Sequence, residues 1–200
     1  AEPVEPRTGT KGNAGQQSTR RAQSRISVSQ ALERIRQAAR VRKKEKFTAL
    51  FHHLSIDLLW EAFLALKRDA APGVDELTWR TYAADLERNL TDLHARVHRG
   101  AYRALPSRRT YIPKADGRQR PLAVAALEDK IVQRATVAVL NSIYEEDFLG
   151  FSYGFRPGRS AHQAVTRAKA YIAEGRSWVV DLDLEKFFDR VNHDKLMRML

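Results

Sequence analysis

A cluster of carboxylates near the C-terminal end of the chain is the strongest candidate for chemistry. It lies in the run Asp181-Leu182-Asp183-Leu184-Glu185-Lys186-Phe187-Phe188-Asp189. Residues 177–183 have the composition of a buried β-strand, and alternation along a strand places Asp181 and Asp183 on one face. Two neighbouring carboxylates repel each other unless a cation joins them. The spacing therefore indicates either a metal site, or one helix-capping carboxylate beside one solvated carboxylate.

A divalent metal ion held by such carboxylates would serve phosphoryl transfer. Mg²⁺ prefers hard oxygen ligands, usually one or two carboxylates completed by water and phosphate oxygens. Two such ions, roughly 3.5–4 Å apart, can stabilise both the attacking and the leaving oxygen of a displacement. A carboxylate that follows the apolar run Trp178-Val179-Val180 would be held in place by the strand. This segment is where we expect a metal-dependent reaction on a phosphate ester.

The charge of the chain is positive and unevenly placed. The net charge is +11, and residues 1–50 carry 12 Lys and Arg against four Asp and Glu. A second basic patch covers residues 103–120. A polyanionic partner is expected, since neutralising phosphates releases counterions. The alternative for the first 50 residues is a solvated tail without function.

Several classes of protein are disfavoured by composition. Cysteine is absent, which rules out disulfides and thiolate metal sites and fits a reducing, cytoplasmic (bacterial-type) location. No apolar run approaches the ~20 residues needed to span a bilayer. The first residues also lack the apolar core of a signal peptide.

The pattern of turns and apolar positions predicts a mainly helical chain with one hairpin. Residues 1–25 are predicted to be disordered, and Ser27 or Ser29 to begin a basic helix that ends near residue 46 and lies on nucleic acid. Asp116-Gly117 predicts a hairpin turn, and residues 177–183 a buried strand. Further helices are expected at 58–67 (preceded by Ser55), 78–98 (ended by Gly100), 128–143, 161–173 and from about 194.

Motifs along residues 45–200 together resemble the reverse transcriptases encoded by group II introns. The run Asp183–Asp189 resembles the first catalytic motif of that family. The other similar motifs, in the family's order, are Ala71-Pro72-Gly73-Val74-Asp75, Tyr111-Ile112-Pro113-Lys114-Ala115-Asp116-Gly117-Arg118-Gln119-Arg120-Pro121-Leu122, Glu128-Asp129-Lys130-Ile131-Val132-Gln133 and Phe151-Ser152-Tyr153-Gly154-Phe155-Arg156-Pro157-Gly158-Arg159-Ser160-Ala161-His162-Gln163-Ala164. Several motifs in one order are more specific than any of them alone.

The resemblance implies an α/β (α+β) fold of the right-hand polymerase type. It predicts a mostly helical N-terminal half, a fingers β-hairpin and the start of a palm. The expected domains are a disordered basic tail over 1–25, a helical RNA-binding extension over 26–100, and fingers with a partial palm over 101–200.

The resemblance also implies roles for the residues of the carboxylate cluster. Asp183 is the expected catalytic metal ligand for Mg²⁺ in a two-metal site, with the backbone carbonyl of Leu184 as a second ligand. Asp181 is a weaker candidate, whose alternative role is to support the end of the strand. Phe188 is the expected steric gate against the ribose 2′-hydroxyl, and its alternative is a core position beside Phe187.

Three cations around the predicted hairpin are candidates for binding the incoming deoxynucleoside triphosphate. Arg108, Lys114 and Arg120 are each six residues apart, and in a hairpin they can converge on one face, where cations would meet the triphosphate. The family implies this role most clearly for Lys114 and Arg120. The alternative is that an exposed hairpin carries these residues for solubility.

The second aromatic and basic motif, over 151–164, is expected to shape the nucleotide and template channel. Arg156, Pro157, Gly158 and Gln163 belong to it. Tyr153 and Phe155 are expected either to stack on bases or to fill the core. The histidines His52, His53 and His162 lack metal-ligand spacing and are interpreted as structural.

The implied partners are group II intron RNA, an RNA template, a DNA primer and deoxynucleoside triphosphates, in intron mobility and, with a maturase role, RNA splicing. The family's Tyr-Ala-Asp-Asp hairpin is absent, and no Asp-Asp pair occurs in the chain. We therefore expect a fragment or truncated product that does not polymerise DNA alone, with an unpaired sheet edge beside residues 178–183. The alternatives are a non-catalytic RNA-binding module, a degenerate remnant, and a defence-associated reverse transcriptase.

Overall fold

The computed structural model describes residues 12–43, 46–113, 117–184 and 187–199. The chain divides into two compact units, Ala1–Phe148 and Leu149–Leu200. The first contains helices α1 (Gly12–Val41), α2 (Ile56–Leu64), α3 (Trp79–Ala83), α4 (Leu86–His98) and α5 (Leu127–Tyr144), a short 3-10 turn (Phe51–His53), and strands β1 (Arg108–Pro113) and β2 (Gln119–Val124). The second contains α6 (Ala161–Ala173), α7 (Phe187–Arg190) and α8 (His193–Met199). Across the described ranges, no helix combines the length and the apolar character that crossing a membrane requires.

The first unit is a helical bundle around one apolar core. The core collects one face each of α1, α2, α4 and α5, and Phe63 is fully buried at its centre. The Phe63 ring stacks on Trp79 with 4.7 Å between ring centroids. The fold class predicted from the sequence is confirmed, since helices dominate and β1 and β2 form one antiparallel sheet.

Capping residues place several helix boundaries where the sequence predicts them. The hydroxyl of Ser55 accepts from the Leu58 N–H at 3.2 Å at the start of α2. Gly100 follows α4 with φ of +69°, a left-handed conformation that glycine adopts at low cost. The helices predicted over 128–143 and 161–173 are confirmed as α5 and α6.

The single helix predicted over residues 78–98 is wrong, because the chain forms α3 and α4 with a break between them. Asp85 leaves helical geometry with φ of −131° and ψ of 49°. The Asn89 side-chain amide donates to the Tyr82 carbonyl at 3.0 Å, which satisfies an acceptor near the break. The apolar periodicity continues across both helices, so it could not reveal the interruption.

Helix α1 begins at Gly12, not at Ser27 or Ser29 as predicted, and residues 12–25 are helical instead of disordered. Ile35 and Ala39 are buried where α1 packs on α2 and α5. Once packing holds one part of a helix, adding turns costs little, because nucleation is the unfavourable step. Low apolar content therefore did not exclude a helix. The remainder of the predicted tail, residues 1–11, lies outside the described residues.

The basic residues of α1 are partly neutralised within the unit. The Arg40 Nε donates to a Glu146 carboxylate oxygen at 2.7 Å, and Arg36 lies 3.7 Å from the other oxygen. The hydrogen bond from Arg40 lowers the pKa of Glu146. Arg34 is exposed on the helix, and Lys43 is exposed two residues after its end. The helix is thus a structural element of the bundle that keeps some cations on its outer surface.

The second unit lacks a core among the residues that the structure describes. None of its described residues is buried, although α6 has a complete capping box formed by Ser160 and Gln163. The strand predicted over 177–183 is wrong: these residues have no regular structure, and Trp178 is 93% exposed. A strand needs neighbouring strands to satisfy its backbone, and no described segment pairs with this one.

Candidate active site

The β1–β2 hairpin brings two of the three predicted nucleotide-binding cations to one face. The register pairs Arg108 with Val124 and Ile112 with Arg120. Because alternate residues share a face, Arg108 and Arg120 lie on the same side, and Arg109 on the other. Arg120 is paired with Ile112, which lies four residues along β1 from Arg108. At about 3.3 Å per residue, the two arginines are therefore about 13 Å apart along the hairpin. Lys114 lies outside the described residues.

Two prolines shape the outer edges of the hairpin. Pro113 is paired with Gln119, and Pro121 with Tyr111. A proline has no N–H to donate, so it is compatible with a strand only where its nitrogen points away from the ladder. Each strand therefore lacks one backbone donor on its outer edge. The hairpin is built as a projecting two-stranded element, and all its described residues are exposed except Val124.

The base of the hairpin is tied to the first turn of α5. Asp129 is 4% exposed, and one of its carboxylate oxygens accepts from the Tyr102 hydroxyl. The other oxygen accepts from the Leu105 N–H at 3.1 Å. Burial, with the hydrogen bond to Asp129, raises the pKa of Tyr102 well above its usual value. The phenol is therefore a donor at any physiological pH.

The residues on either side of Asp129 bind three further segments. Arg96 donates to both oxygens of Glu128 at 2.8 Å, and the Tyr82 hydroxyl donates to one of them at 3.2 Å. Lys130 donates to the Ala71 carbonyl at 2.8 Å. The triplet 128–130 thus links α3, α4, the linker to β1 and the loop at 71–75.

Gly73 packs closely against the backbone that precedes α5. A Cβ added at Gly73 would lie 2.5 Å from the Ala126 Cα and 2.7 Å from its nitrogen. Ala126 is 1% exposed and precedes α5 directly. The sequence predicts a break in the chain at Pro72-Gly73, within the family-like motif Ala71–Asp75. A glycine after proline signals a turn, but nothing in the sequence names the backbone that it contacts.

The two carboxylates of the predicted metal site lie in the irregular segment 176–184 of the second unit. Asp181 and Asp183 are exposed, and neither has a hydrogen bond or an ion pair with any residue that the structure describes. The Leu184 carbonyl accepts from the Phe187 N–H at 3.3 Å, which leaves its second lone pair available. These hard oxygen donors fit Mg²⁺. Within the described ranges, there is no group of three or more acidic or histidine side chains placed to hold a metal ion.

Comparison with known proteins decides the family. The profile "Reverse transcriptase (RNA-dependent DNA polymerase)" matches residues 112–200, from β1 through the carboxylate segment. The chain belongs to the reverse transcriptases of the group II intron type. It is 42% identical over 140 residues to "Protein YkfC" of Escherichia coli (strain K12), which covers 68% of this chain and 36% of that protein.

Two further relatives are intron proteins. "Group II intron-encoded protein LtrA" of Lactococcus lactis subsp. cremoris is 31% identical over 171 residues, 84% of this chain and 28% of LtrA. "Putative COX1/OXI3 intron 2 protein" of Saccharomyces cerevisiae is 35% identical over 111 residues, 56% of this chain and 13% of that protein. The chain spans about a third of the length of YkfC and LtrA.

The residue predicted to be the steric gate of the reverse transcriptase, Phe188, lies in α7. Its side chain is outside the described part of the structure, so its role stays a prediction. The neighbouring Phe187 is half exposed.

The loop before α6 is held by an arginine. Arg156 donates to the carbonyls of Leu149 at 2.9 Å and Ser152 at 2.8 Å. Phe155 has φ of +58° and a fully exposed ring, and Arg159 lies over the Tyr153 ring at 5.7 Å. Arg156 therefore folds the loop, while Phe155 presents an aromatic face to solvent.

The histidines of the first unit form ring contacts instead of a ligand set. The rings of His52 and His53 are 3.9 Å apart, and those of His94 and His98 are 4.1 Å apart. Burial lowers the pKa of His53 and of His94. His98 Nε2 is 3.0 Å from the Leu54 carbonyl, which fits a donated hydrogen bond.

Proposed function

We propose that this chain supplies the fingers and the first catalytic carboxylates of an RNA-directed DNA polymerase that acts in group II intron mobility and, as a maturase, in RNA splicing. The observation that carries the proposal is the reverse transcriptase match over residues 112–200, which contains the end of β1, all of β2 and Asp181–Asp189. The substrates are an RNA template, a DNA primer and deoxynucleoside triphosphates, and the structured partner is intron RNA. The absence of cysteine and of a spanning helix in the described ranges supports a cytoplasmic location.

The residues of this chain divide the proposed reaction between them. Asp183, the Leu184 carbonyl and, more weakly, Asp181 would hold Mg²⁺, which polarises phosphoryl oxygens and stabilises the attacking and leaving oxygens. Arg108, Lys114 and Arg120 neutralise the incoming triphosphate. Phe188 excludes the ribose 2′-hydroxyl. A complete metal site would need a second set of carboxylates. The 200 residues contain no Asp-Asp pair that could supply it.

Primer extension tests the function directly. We expect no extension by the 200-residue chain alone with Mg²⁺, an RNA template, a DNA primer and deoxynucleotides. A fusion that continues the chain with the Tyr-Ala-Asp-Asp segment and the remaining palm of a group II intron reverse transcriptase is expected to extend the primer. A well-folded fusion that binds RNA but extends no primer would contradict the proposal.

Replacing Arg120 by alanine is expected to raise the KM of the fusion for deoxynucleotides about tenfold or more, because a charge-assisted contact to phosphate contributes roughly 1.5–3 kcal/mol. The matched control is Arg109→Ala on the opposite face of the hairpin. Steady-state kinetics with varied deoxynucleotide measure both. Equal effects of the two substitutions would assign the arginines to solubility.

Replacing Phe188 by valine is expected to lower the preference for deoxynucleotides over ribonucleotides at least about tenfold, since removing the ring relieves a clash with one hydroxyl. The control is Phe187→Val, which changes the adjacent ring. The ratio of kcat/KM for the two nucleotide types is the measurement. If Phe187→Val relaxes the selection and Phe188→Val does not, the gate has been assigned to the wrong ring.

A non-catalytic RNA-binding module is the second candidate. The excess of cations in residues 1–50 favours it, as do the exposed Arg34 on α1 and Lys43 just after α1. It predicts RNA binding that weakens steeply with salt and does not change on Asp183→Ala. The two functions are compatible in one protein, and the extension assay decides whether catalysis is added to binding.

A further inference from the structure

The hairpin that carries Arg108 and Arg120 is not held by packing along its length. Its strands are exposed at every described position except the half-buried Val124, and the side chains of Tyr111 and Ile112 are each about half in solvent. A projecting element of this kind takes its direction from the two chain segments at its base. What fixes those segments therefore fixes the arginines.

The segment that enters the hairpin is held by Asp129. Tyr102 and Leu105 each donate a hydrogen bond to a different oxygen of this carboxylate. The backbone N–H groups of Ala101 and Tyr102 also donate to the Arg96 carbonyl, at 2.9 and 3.0 Å. The linker from α4 to β1 is thus tied at both its ends before β1 begins at Arg108.

The segment that leaves the hairpin reaches the same turn of α5. The carbonyl of Ala126 accepts from the Lys130 N–H at 3.0 Å, so residue 126 belongs to the turn that carries Asp129. Ala126 is closely covered by Gly73. The entry and the exit of the hairpin therefore meet on one helical turn, and Asp129 is the side chain that joins them.

We propose that Asp129 is a positioning residue, whose buried carboxylate sets the direction of the β1–β2 hairpin and with it the place of Arg108 and Arg120 at the triphosphate of the incoming nucleotide. The nucleotide part of this inference rests on the proposed function. The anchoring part rests only on the geometry of the first unit.

A carboxylate suits this position because both of its partners are donors. The Leu105 N–H can only donate, whereas the Tyr102 hydroxyl can turn and accept. Asparagine could therefore keep both contacts with its oxygen toward Leu105 and its amide toward Tyr102. Alanine loses both and leaves a backbone donor unpaired. Asp129→Ala is thus the strong variant, Tyr102→Phe removes one contact, and Asp129→Asn is expected to rescue most of the effect.

The first experiment measures the direction of the hairpin. The chain has no cysteine, so spin labels can be placed at Arg109→Cys on the hairpin and Val137→Cys on α5, both exposed. Pulsed electron spin resonance is expected to give a narrow distance distribution, which Asp129→Ala and, to a smaller extent, Tyr102→Phe broaden or shift. Asp69→Ala, an exposed carboxylate paired with Arg80, and Tyr144→Phe on α5 are expected to leave it unchanged.

The second experiment measures nucleotide use by the fusion. Asp129→Ala is expected to raise the KM for deoxynucleotides at least fivefold while kcat changes less than twofold, and Asp129→Asn is expected to restore the KM. A loss of kcat in Asp129→Ala with an unchanged KM would overturn the positioning role. If Asp129→Ala fails to fold, Tyr102→Phe decides both measurements.

The two experiments separate the inference from the proposed function. An unchanged distance distribution in Asp129→Ala or, where that variant does not fold, in Tyr102→Phe overturns the inference, whatever the fusion does. A fusion without polymerase activity overturns the function, while the distance measurement still decides whether Asp129 anchors the hairpin.

Discussion

Primer extension by the fusion is expected to fall at least about a thousandfold when Asp183 is replaced by asparagine. The substitution keeps the size and removes the negative charge, and a site for two divalent ions depends on that charge to hold them and to stabilise the transferred phosphoryl group. Asp181→Asn is expected to have a smaller effect, because the resemblance assigns the metal to Asp183 first. The rate of the first nucleotide addition at saturating Mg²⁺ is the measurement.

The matched control for this loss is Asp194→Asn, a carboxylate in the first turn of α8 in the same unit. It is expected to retain most of the activity. If Asp183→Asn is active and Asp181→Asn is not, the metal ligand has been assigned two residues too late. Full activity of both would remove the carboxylate cluster from the mechanism.

Gly73→Ala is expected to lower the free energy of unfolding of the first unit by about 1–3 kcal/mol, the range for overpacking a tight site. The added methyl group would collide with the backbone of Ala126 at 2.5 Å, and that backbone is buried at the start of α5. Urea unfolding followed by tryptophan fluorescence measures the change, since Trp60 and Trp79 both pack against the core of this unit.

The control for Gly73 is Gly150→Ala, because a Cβ at Gly150 meets nothing within 4 Å. It is expected to shift the midpoint by only a small amount. A Gly73→Ala protein as stable as the parent would mean that the loop at 71–75 moves aside, and that the contact with Ala126 does not constrain the base of the hairpin.

Local signals made the helices and the hairpin predictable from the sequence. Ser55 and Gly100 act on their immediate neighbours, so their effect can be inferred without knowing the fold, and the same reasoning predicted the hairpin from Asp116-Gly117, although Asp116 lies outside the described residues. The break at Asp85 was missed because the apolar side chains of α3 and α4 keep one periodicity across it. The helical start of α1 was missed because docking elsewhere on the helix supports it.

The contacts at the base of the hairpin were beyond prediction for a different reason. Asp129 meets Tyr102 and Leu105 more than 20 residues away, and Gly73 meets a backbone more than 50 residues away. Residue types do not specify such pairings. The carboxylate motif was recognisable from its order of residues, but its predicted strand was not formed, since a strand depends on partners that the apolar run itself does not contain.

The two proline positions in the hairpin also bear on how the chain behaves at high concentration. An exposed strand is a template for another strand, and a missing donor on its outer edge interrupts that templating. The hairpin is protected in this way by Pro113 and Pro121. The run Trp178–Leu184 is equally exposed, rich in β-branched and aromatic residues, and free of proline. Intermolecular β-pairing should therefore begin at that run and spare the hairpin, with the charges of Asp181 and Asp183 as its only opposition.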